Sequence, residues 1–261
     1  MHSVGAESYR KGRIVVDQYA CARMRANPRH HLRGKAFALG RRQRLVAHLD
    51  EPQAAVQCAF QPLQFGVDAV FHPEPSEMYP EGYCTYVNVD GDITHKLCGA
   101  QRPIHFRGVA TVVTKLMNIT RADEAFFGQK DAQQVVVVRR FVSDLNIPVH
   151  INMVPIVREE SGLARSSRNA YLSPEEKQAA LVLSRSLRKA KAAYEGGEKD
   201  VETLKSIVTK EIQSEPMASI DYVDLFSFPA LKPIATVDQE SLLAIAVRIG
   251  KTRLIDNVIL G

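Results

Sequence analysis

EAFFGQKDAQQVVVVRRFVSDLNIPVHINMVPIV, at residues 124–157 of this 261-residue chain, is the stretch that decides the fold class. It starts with a short apolar strand that stops at Gly128, continues from Asp131 as an amphipathic helix, and ends in a second predicted strand, Val149–Val157. Asp131 is of a residue type that caps the first free N–H groups of helices. Strands and helices alternating in this order are typical of a parallel α/β sheet.

The residues before this stretch continue the alternation. Val67–Phe71 is a short buried-strand pattern, Cys84–Val89 alternates like a strand, and Arg107–Ile119 places its apolar residues on one helical face. Three prolines within residues 72–80 predict a loop without regular structure.

The residues after it have a different order, with two helices followed by three strands. Ser173–Glu176 has the pattern of a capping box with proline at the first helical position, which predicts a helix over 174–194 that ends at Gly196. A second helix is predicted over 201–214, and strands at Ile220–Phe226, Leu242–Ile249 and Arg253–Leu260. We therefore expect two domains, residues 1–157 and a smaller α+β domain at 158–261.

Residues 1–65 are atypical of the first domain. They hold 11 Lys/Arg against 4 Asp/Glu, whereas the rest of the chain is slightly acidic. Gly12–Val16 could begin a strand, but Asp17–Leu45 shows neither alternation nor a helical face. The basic residues follow no helical stripe and lack interleaved aromatics, so we expect neither nucleic-acid binding nor an organelle-targeting leader.

Composition excludes several classes of protein. Apolar residues make up 45% and charged residues 24%, which is ordinary for a globular protein, and no apolar run is long enough to span a membrane. No apolar segment begins the chain, so we do not expect secretion. The four cysteines are widely spaced without a CxxC pair, which predicts reduced thiols in a cytoplasmic protein and no metal site.

Three segments could carry chemistry. In residues 128–134, GQKDAQQ, a strand end turns into a helix, and the helix N-terminus together with Lys130 favours phosphate. The alternative is a well-capped helix with one exposed lysine. Residues 161–169, SGLARSSRN, place two hydroxyls and two guanidiniums within four positions, which suits phosphate binding by a flexible loop. A solvated surface loop is the alternative.

The third segment, residues 102–108, has the sequence RPIHFRG. Arg102, His105 and Arg107 precede a predicted helix, where cations oppose the helix dipole unless an anion is bound. A structural role for His105 is the alternative.

Together these segments resemble the pantothenate synthetase family. The resemblance lies in five stretches, in order and at similar spacing: residues 66–80, 102–115, 128–134, 162–169 and 252–260. It implies a Rossmann-like nucleotidyltransferase sheet, a smaller C-terminal lid domain and a homodimer. It also implies a ligase that condenses pantoate with β-alanine through a pantoyl adenylate, using ATP with Mg²⁺ and releasing AMP and pyrophosphate.

The resemblance also assigns roles to individual residues. It implies that ATP contacts Gly128, Lys130 and Asp131, and that the phosphates are held by Ser166, Ser167 and Arg168 of a mobile loop. Of these, Lys130, Ser166, Ser167 and Arg168 would serve catalysis. It implies that the substrate pantoate is held by Gln134, Gln64 and Arg102.

The N-terminal segment departs from the family. The family opens with a strand and a T-M-G-x-L-H-x-G-H turn, which is absent here because His30 and His31 are adjacent and no TMG precedes them. Without the first strand, the sheet would lack its centre. Residues 60–65, FQPLQF, resemble the next family strand end and make Gln64 the pantoate candidate. The alternative to an active ligase is therefore a catalytically impaired or non-catalytic homologue, with a decayed or mistranslated N-terminus, that retains ligand binding or dimerisation only.

Overall fold

The computed structural model describes four strand segments, at residues 13–15, 22–24, 43–47 and 69–71, and the continuous stretch 73–261. Gln64, His30 and His31 lie outside the described residues. The chain divides into two compact units. One comprises residues 1–87, 111–127 and 142–153, and the other comprises 88–110, 128–141 and 154–261. The division expected between residues 157 and 158 stays a prediction.

A mainly parallel sheet forms the first unit. Its strands are β1 (Arg13–Val15), β2 (Ala22–Met24), β3 (Gln43–Ala47), β4 (Ala69–Phe71), β5 (Glu124–Gly128) and β6 (His150–Val154). The strand order is β2-β3-β1-β5-β6, and β4 pairs with β3. β1 is parallel to β3 and β5, β3 is parallel to β4, and β2 is antiparallel to β3. The parallel α/β class predicted from the sequence is confirmed.

The centre of this sheet corrects one expectation. β1 lies between β3 and β5, so the strand predicted at Gly12–Val16 supplies the position that the missing family motif would have left empty. β2 and β3 both lie within or beside Asp17–Leu45, where the sequence shows no clean pattern. Strands this short are specified by pairing with neighbours more than by their own alternation.

Four helices follow in the middle of the chain: α1 (Pro75–Met78), α2 (Leu97–Gln101), α3 (His105–Thr120) and α4 (Ala132–Asp144). α3 and α4 agree with the predicted helices. On α3 the apolar face is buried, with Val113, Leu116 and Met117 at most 3% exposed. On α4 Val135, Val137, Val138 and Phe141 are at most 1% exposed.

α1 lies where a loop without regular structure was predicted. Pro75 stands at its first turn, where proline costs no helical hydrogen bond. The backbone N–H of Glu74 donates to the Glu77 carboxylate at 2.8 Å, one half of a capping box. The prolines therefore limit the helix to one turn without preventing it.

The strand predicted at Cys84–Val89 is wrong. These residues form neither a strand nor a helix, although their sequence alternates like that of a strand. The backbone N–H of Val87 donates to Oγ1 of Thr111, on α3, at 3.0 Å. A side chain thus takes the hydrogen bond that a neighbouring strand would have taken, and no ladder forms at this position.

The rest of the second unit is a three-stranded antiparallel sheet covered by two helices. Its elements are α5 (Pro174–Glu195), α6 (Val201–Gln213), β7 (Ala218–Ser227), β8 (Ser241–Ile249) and β9 (Thr252–Leu260). The sheet order is β7-β8-β9, and the predicted αα-then-βββ order is confirmed. The predicted capping box is present, since Ser173 Oγ accepts from the Glu176 N–H and the Glu176 carboxylate accepts from the Ser173 N–H. Apolar residues of both helices and the sheet form one core.

No helix among residues 73–261 has both the length and the apolar character needed to cross a membrane.

Candidate active site

The lysine segment (residues 128–134, GQKDAQQ) connects β5 to α4 through one tight turn. Gly128 ends the strand, residues 129–131 form a 3₁₀ turn, and α4 starts at Ala132. The Gly128 backbone is extended (φ −69°, ψ 134°), a conformation open to any residue, so the backbone alone does not require glycine there. Lys130 is only 16% exposed, and its Nζ lies 3.9 Å from Oδ2 of Asp131. The segment therefore holds a cation and a carboxylate side by side at a helix start.

The two glutamines of this segment have different environments. Gln133 is 5% exposed, and its Nε2 donates to the carbonyls of Ile93 (2.8 Å) and Lys96 (2.7 Å). Its Oε1 accepts from the backbone N–H of Cys98 at 3.0 Å. The amide of Gln133 is thus bound within the protein, whereas Gln134 is half-buried, and both residues line the cavity described below.

Asn257, on β9, holds the lysine segment from the other side. It is 3% exposed, and its Nδ2 donates to the backbone carbonyls of Gln129 (2.9 Å) and Lys130 (3.0 Å). Its Oδ1 accepts from Nε2 of Gln129 at 3.2 Å. One buried carboxamide therefore fixes the backbone that carries the lysine.

Asp256, the residue before Asn257, binds a second segment. It is 2% exposed and accepts two hydrogen bonds from the Arg158 guanidinium, at 2.7 and 3.0 Å. Arg158 also donates to the carbonyl of Gly162 at 3.1 Å, and residues Arg158 and Ala164 pair as an isolated antiparallel bridge. Residues 158–164, which lead into the serine–arginine segment (residues 161–169), are thus held as a closed turn.

The serine–arginine segment contains regular structure after Ser166. Ser166 begins a 3₁₀ helix over Ser167–Tyr171, and its Oγ accepts from the Arg168 N–H at 3.3 Å. Asn169 is buried, and its Nδ2 donates to Oε1 of Glu159 (2.8 Å). Ser166, Ser167 and Arg168 are half-buried, intermediate between a solvated loop and a core.

His105, at the first position of α3, lies near the charges of all three segments. Its pKa is lowered from the ordinary value, first by burial and then by Arg102, with Arg168 acting in the same direction and Asp131 in the opposite one. Charges from all three segments thus act on one imidazole. The lowered pKa favours the neutral ring among these cations.

A small cavity of about 40 Å³ lies next to the lysine segment. Of the residues assigned to the site from the sequence, three line it: Lys130, Asp131 and Gln134. Gly128, Arg102, Ser166, Ser167 and Arg168 do not line it. His105, Asp256 and Asn257 also line the cavity. Asp256 and Asn257 lie in the stretch TRLIDNVIL, residues 252–260. A polar pair between apolar residues of a predicted strand is the sequence signal that could have identified them as site residues.

The comparisons with known proteins agree on one family. Residues 56–259 match the family described as pantoate-beta-alanine ligase. A protein of Pelotomaculum thermopropionicum described as pantothenate synthetase is 58% identical over 198 residues, which cover 76% of this chain and 70% of that protein. A protein of the same description from Heliobacterium modesticaldum is 58% identical over 194 residues, 74% and 69% of the two chains.

Solved structures give the same result. Pantothenate synthetase from Thermus thermophilus superposes with a TM-score of 0.77 at 36% identity, covering 82% of each chain. The pantoate-beta-alanine ligase of Francisella tularensis, solved in complex with beta-gamma ATP and beta-alanine, superposes with a TM-score of 0.65 at 28% identity and covers 82% of this chain and 78% of that one. This chain belongs to the pantoate-beta-alanine ligase family.

Proposed function

We propose that this protein is an ATP-dependent ligase that condenses pantoate with β-alanine to give pantothenate, AMP and pyrophosphate. Family membership supports the reaction. The observation that carries the proposal for this chain is the cavity that Lys130, Asp131 and Gln134 line together, beside an imidazole whose pKa responds to Arg102 and Arg168. A cation, a carboxylate and an amide in one concave site suit an anionic substrate with hydroxyl groups.

The first half-reaction is adenylation. A carboxylate oxygen of pantoate attacks the α-phosphorus of ATP, the bond to the bridging oxygen of pyrophosphate breaks, and pantoyl adenylate forms. Negative charge grows on the phosphoryl oxygens, and positioned cations and hydrogen-bond donors lower the barrier to such transfers. We assign this role to Lys130 and Arg168, with Ser166, Ser167 and the backbone at Gly128 as further donors to the phosphates.

Pantoate requires groups that both donate and accept hydrogen bonds. A carboxamide does both, which suits the hydroxyl groups and the carboxylate of pantoate. We assign pantoate to Gln134, which is half-buried at the cavity, with Arg102 as a further cation and Gln64 as a second amide. In the second half-reaction the β-alanine amine attacks the acyl carbon, its proton is lost, and AMP leaves with the electrons of the C–O bond.

Mg²⁺ enters this scheme with the substrate, as Mg–ATP. Among residues 73–261 and the described strands there is no group of three or more Asp, Glu, His or Cys side chains that could hold a metal ion. Mg²⁺ commonly binds through substrate phosphates and few protein carboxylates. Asp131 is the carboxylate beside Lys130, and we assign it to the ATP site.

The remaining expectations are part of the same proposal. We infer a homodimer that works in the cytoplasm, binds neither nucleic acid nor membrane, and uses residues 158–261 as a lid over an ATP- and pantoate-binding domain at 1–157. Sedimentation of the purified chain tests the dimer, and limited proteolysis with and without ATP tests the lid.

The experiment that tests the reaction is exchange of labelled pyrophosphate into ATP by the purified chain, with Mg²⁺ and pantoate. We expect exchange that depends on pantoate and does not need β-alanine, because adenylation alone is reversible. The matched control omits pantoate. A folded chain that shows no exchange contradicts the proposal and favours the non-catalytic homologue, and nucleotide binding without turnover would then identify what is retained.

A further inference from the structure

Asp256 and Asn257 are two consecutive polar residues in the middle of β9, with apolar residues on both sides of the pair. They are 2% and 3% exposed. Neighbouring side chains in a strand point to opposite faces, so one pair can contact two different segments at the same time. Asn257 contacts the lysine segment, and Asp256 contacts Arg158, three residues before the serine–arginine segment.

The two contacts form one continuous chain of hydrogen bonds. Its first part runs from the carbonyls of Gln129 and Lys130 to the Asn257 carboxamide, at 2.9 and 3.0 Å. The Asn257 N–H then donates to Oδ1 of Asp256 at 2.8 Å.

The second part continues to the other segment. The Asp256 carboxylate accepts from both terminal nitrogens of Arg158 (2.7 and 3.0 Å). Arg158 in turn donates to the carbonyl of Gly162 (3.1 Å). The lysine segment and the closed turn at 158–164 are thus held by one polar pair.

Every polar side-chain atom of the pair makes a hydrogen bond within the protein. Both oxygens of the Asp256 carboxylate accept from Arg158, and Oδ1 also accepts from the Asn257 N–H. The Asn257 carboxamide uses two donor bonds and one acceptor bond within the protein. Both residues line the cavity, but their hydrogen bonds go to the two segments that they hold.

We propose that Asp256 and Asn257 are positioning residues, which keep Lys130 and the serine–arginine segment in the mutual register that the reaction needs. This inference rests on the proposed adenylation. A displacement of about 1 Å at a reacting group can cost on the order of 100-fold in rate. Loss of the Asn257 carboxamide removes the hydrogen bonds that hold the backbone of Gln129 and Lys130. The Lys130 amine is then no longer held at a defined position.

The kinetic test is a double-mutant cycle between Asn257→Ala and Lys130→Ala in the pyrophosphate-exchange assay. We expect Asn257→Ala to lower kcat by about 10- to 100-fold with little change in the pantoate KM. If Asn257 acts through Lys130, the double variant is no slower than Lys130→Ala alone, because the two losses are not additive. Asn257→Asp keeps the shape but sets a carboxylate against two carbonyls, and we expect it to be as slow as Asn257→Ala.

The matched control is Leu254→Ala, in the same strand. Leu254 is 4% exposed and packs in the core of the C-terminal helices and sheet, so its loss destabilises the fold without removing any of the hydrogen bonds that hold the two segments. We expect kcat of this control to stay near wild type at a temperature where all variants are folded. An equal loss of kcat in Leu254→Ala, or fully additive losses in the cycle, would overturn the positioning role.

Amide hydrogen exchange gives a readout that does not need activity. Asn257→Ala should speed exchange at residues 128–134, and Asp256→Ala should speed it at 158–164, whereas Leu254→Ala should do neither. Uniform acceleration in all three variants would overturn the proposal even in an active enzyme. A wild-type chain without pyrophosphate exchange overturns the proposed function, and the amide pattern then still decides whether the pair positions the two segments.

Discussion

Gln133 and Cys98 are joined by a 3.0 Å hydrogen bond from the backbone N–H of Cys98 to Oε1 of Gln133, across 35 residues of sequence. The same carboxamide donates to the carbonyls of Ile93 and Lys96. Gln133 therefore ties α4 to the segment around α2, and both Gln133 and Gln134 line the cavity. The amide of Gln133 is bound within the protein, whereas Gln134 is the residue that we propose to bind pantoate.

Gln133→Ala should destabilise the protein strongly. It removes the bonds that Gln133 makes to the Cys98 N–H and the Ile93 carbonyl in a part-buried region, whereas the Lys96 carbonyl still accepts from the N–H groups of Gly99 and Ala100. Each unmade buried bond costs about 1–3 kcal/mol. Because these costs are not additive, we expect the free energy of unfolding to fall by about 3 kcal/mol. Urea denaturation measures it. Gln133→Met keeps the length of the side chain, so a stability near wild type for that variant would contradict the hydrogen-bond explanation.

Gln134→Ala should impair catalysis and leave stability unchanged, the reverse of what we expect for Gln133→Ala. We expect unfolding like that of wild type and a loss of about 10-fold or more in kcat/KM for pantoate, because buried polar groups of the ligand lose their partner. Steady-state kinetics with varied pantoate at saturating ATP measure this. An unchanged KM and kcat would refute the assignment of Gln134 to pantoate.

Lys130→Ala should lower the adenylation rate severely while the fold stays intact. Loss of one positioned charge donor to a transition state costs on the order of 100- to 1,000-fold in kcat. Its side chain is 16% exposed, and among the described residues its ion contact is to Asp131, so we expect little change in stability. Lys177→Ala, at an exposed position of α5, is the matched control. A near-normal exchange rate in Lys130→Ala would remove Lys130 from the phosphate site.

Ser173→Ala should shorten or fray the start of α5. Ser173 Oγ accepts from the Glu176 N–H at 3.2 Å, and Ala offers no acceptor to replace it. N-cap serines contribute about 1 kcal/mol, so the free energy of unfolding should fall by about that amount. Ser173→Asp retains an acceptor and should restore most of it. Equal stability of wild type and Ser173→Ala would mean that the capping box contributes nothing measurable.

The C-terminal half of the chain could be predicted from the sequence almost element by element. The capping box at Ser173, the glycines after α5 and the apolar runs of β8 and β9 are local signals, and each element lies within a few residues of its prediction. The short strands β2 and β3 could not be predicted, because three to five residues carry little pattern and their pairing partners are distant.

The site was predictable only in part. The sequence singled out Lys130, Asp131 and Gln134, and the structure places these three at one cavity. It did not separate Gln133 from Gln134, since a sequence does not say which of two neighbouring amides faces the protein. It also gave no role to Asn257, because a residue 127 positions away from Lys130 becomes its partner only through the fold.

His105 should titrate below its ordinary pKa of 6.5, because burial and the cations Arg102 and Arg168 disfavour the imidazolium. Between the lowered pKa of the folded state and 6.5, the unfolded chain binds more protons than the folded one. Stability therefore rises with pH in that window, and the contribution of the neutral ring is lost as pH falls from 6.5 through the folded pKa. The free energy of unfolding, measured by urea denaturation at several pH values in this range, should rise more steeply with pH for wild type than for His105→Asn.

Arg102→Gln isolates the cause of this shift. Removing the nearby cation should raise the pKa of His105 toward 6.5, whereas Asp131→Asn should lower it further because Asp131 favours the imidazolium. NMR titration of the imidazole measures both, with the His105 signal assigned by its absence in His105→Asn. Arg248→Gln removes a cation that does not act on this ring and serves as the control. An unmoved pKa in Arg102→Gln would mean that Arg102 does not approach His105 in solution, and Arg102 would then lose its place in the pantoate site.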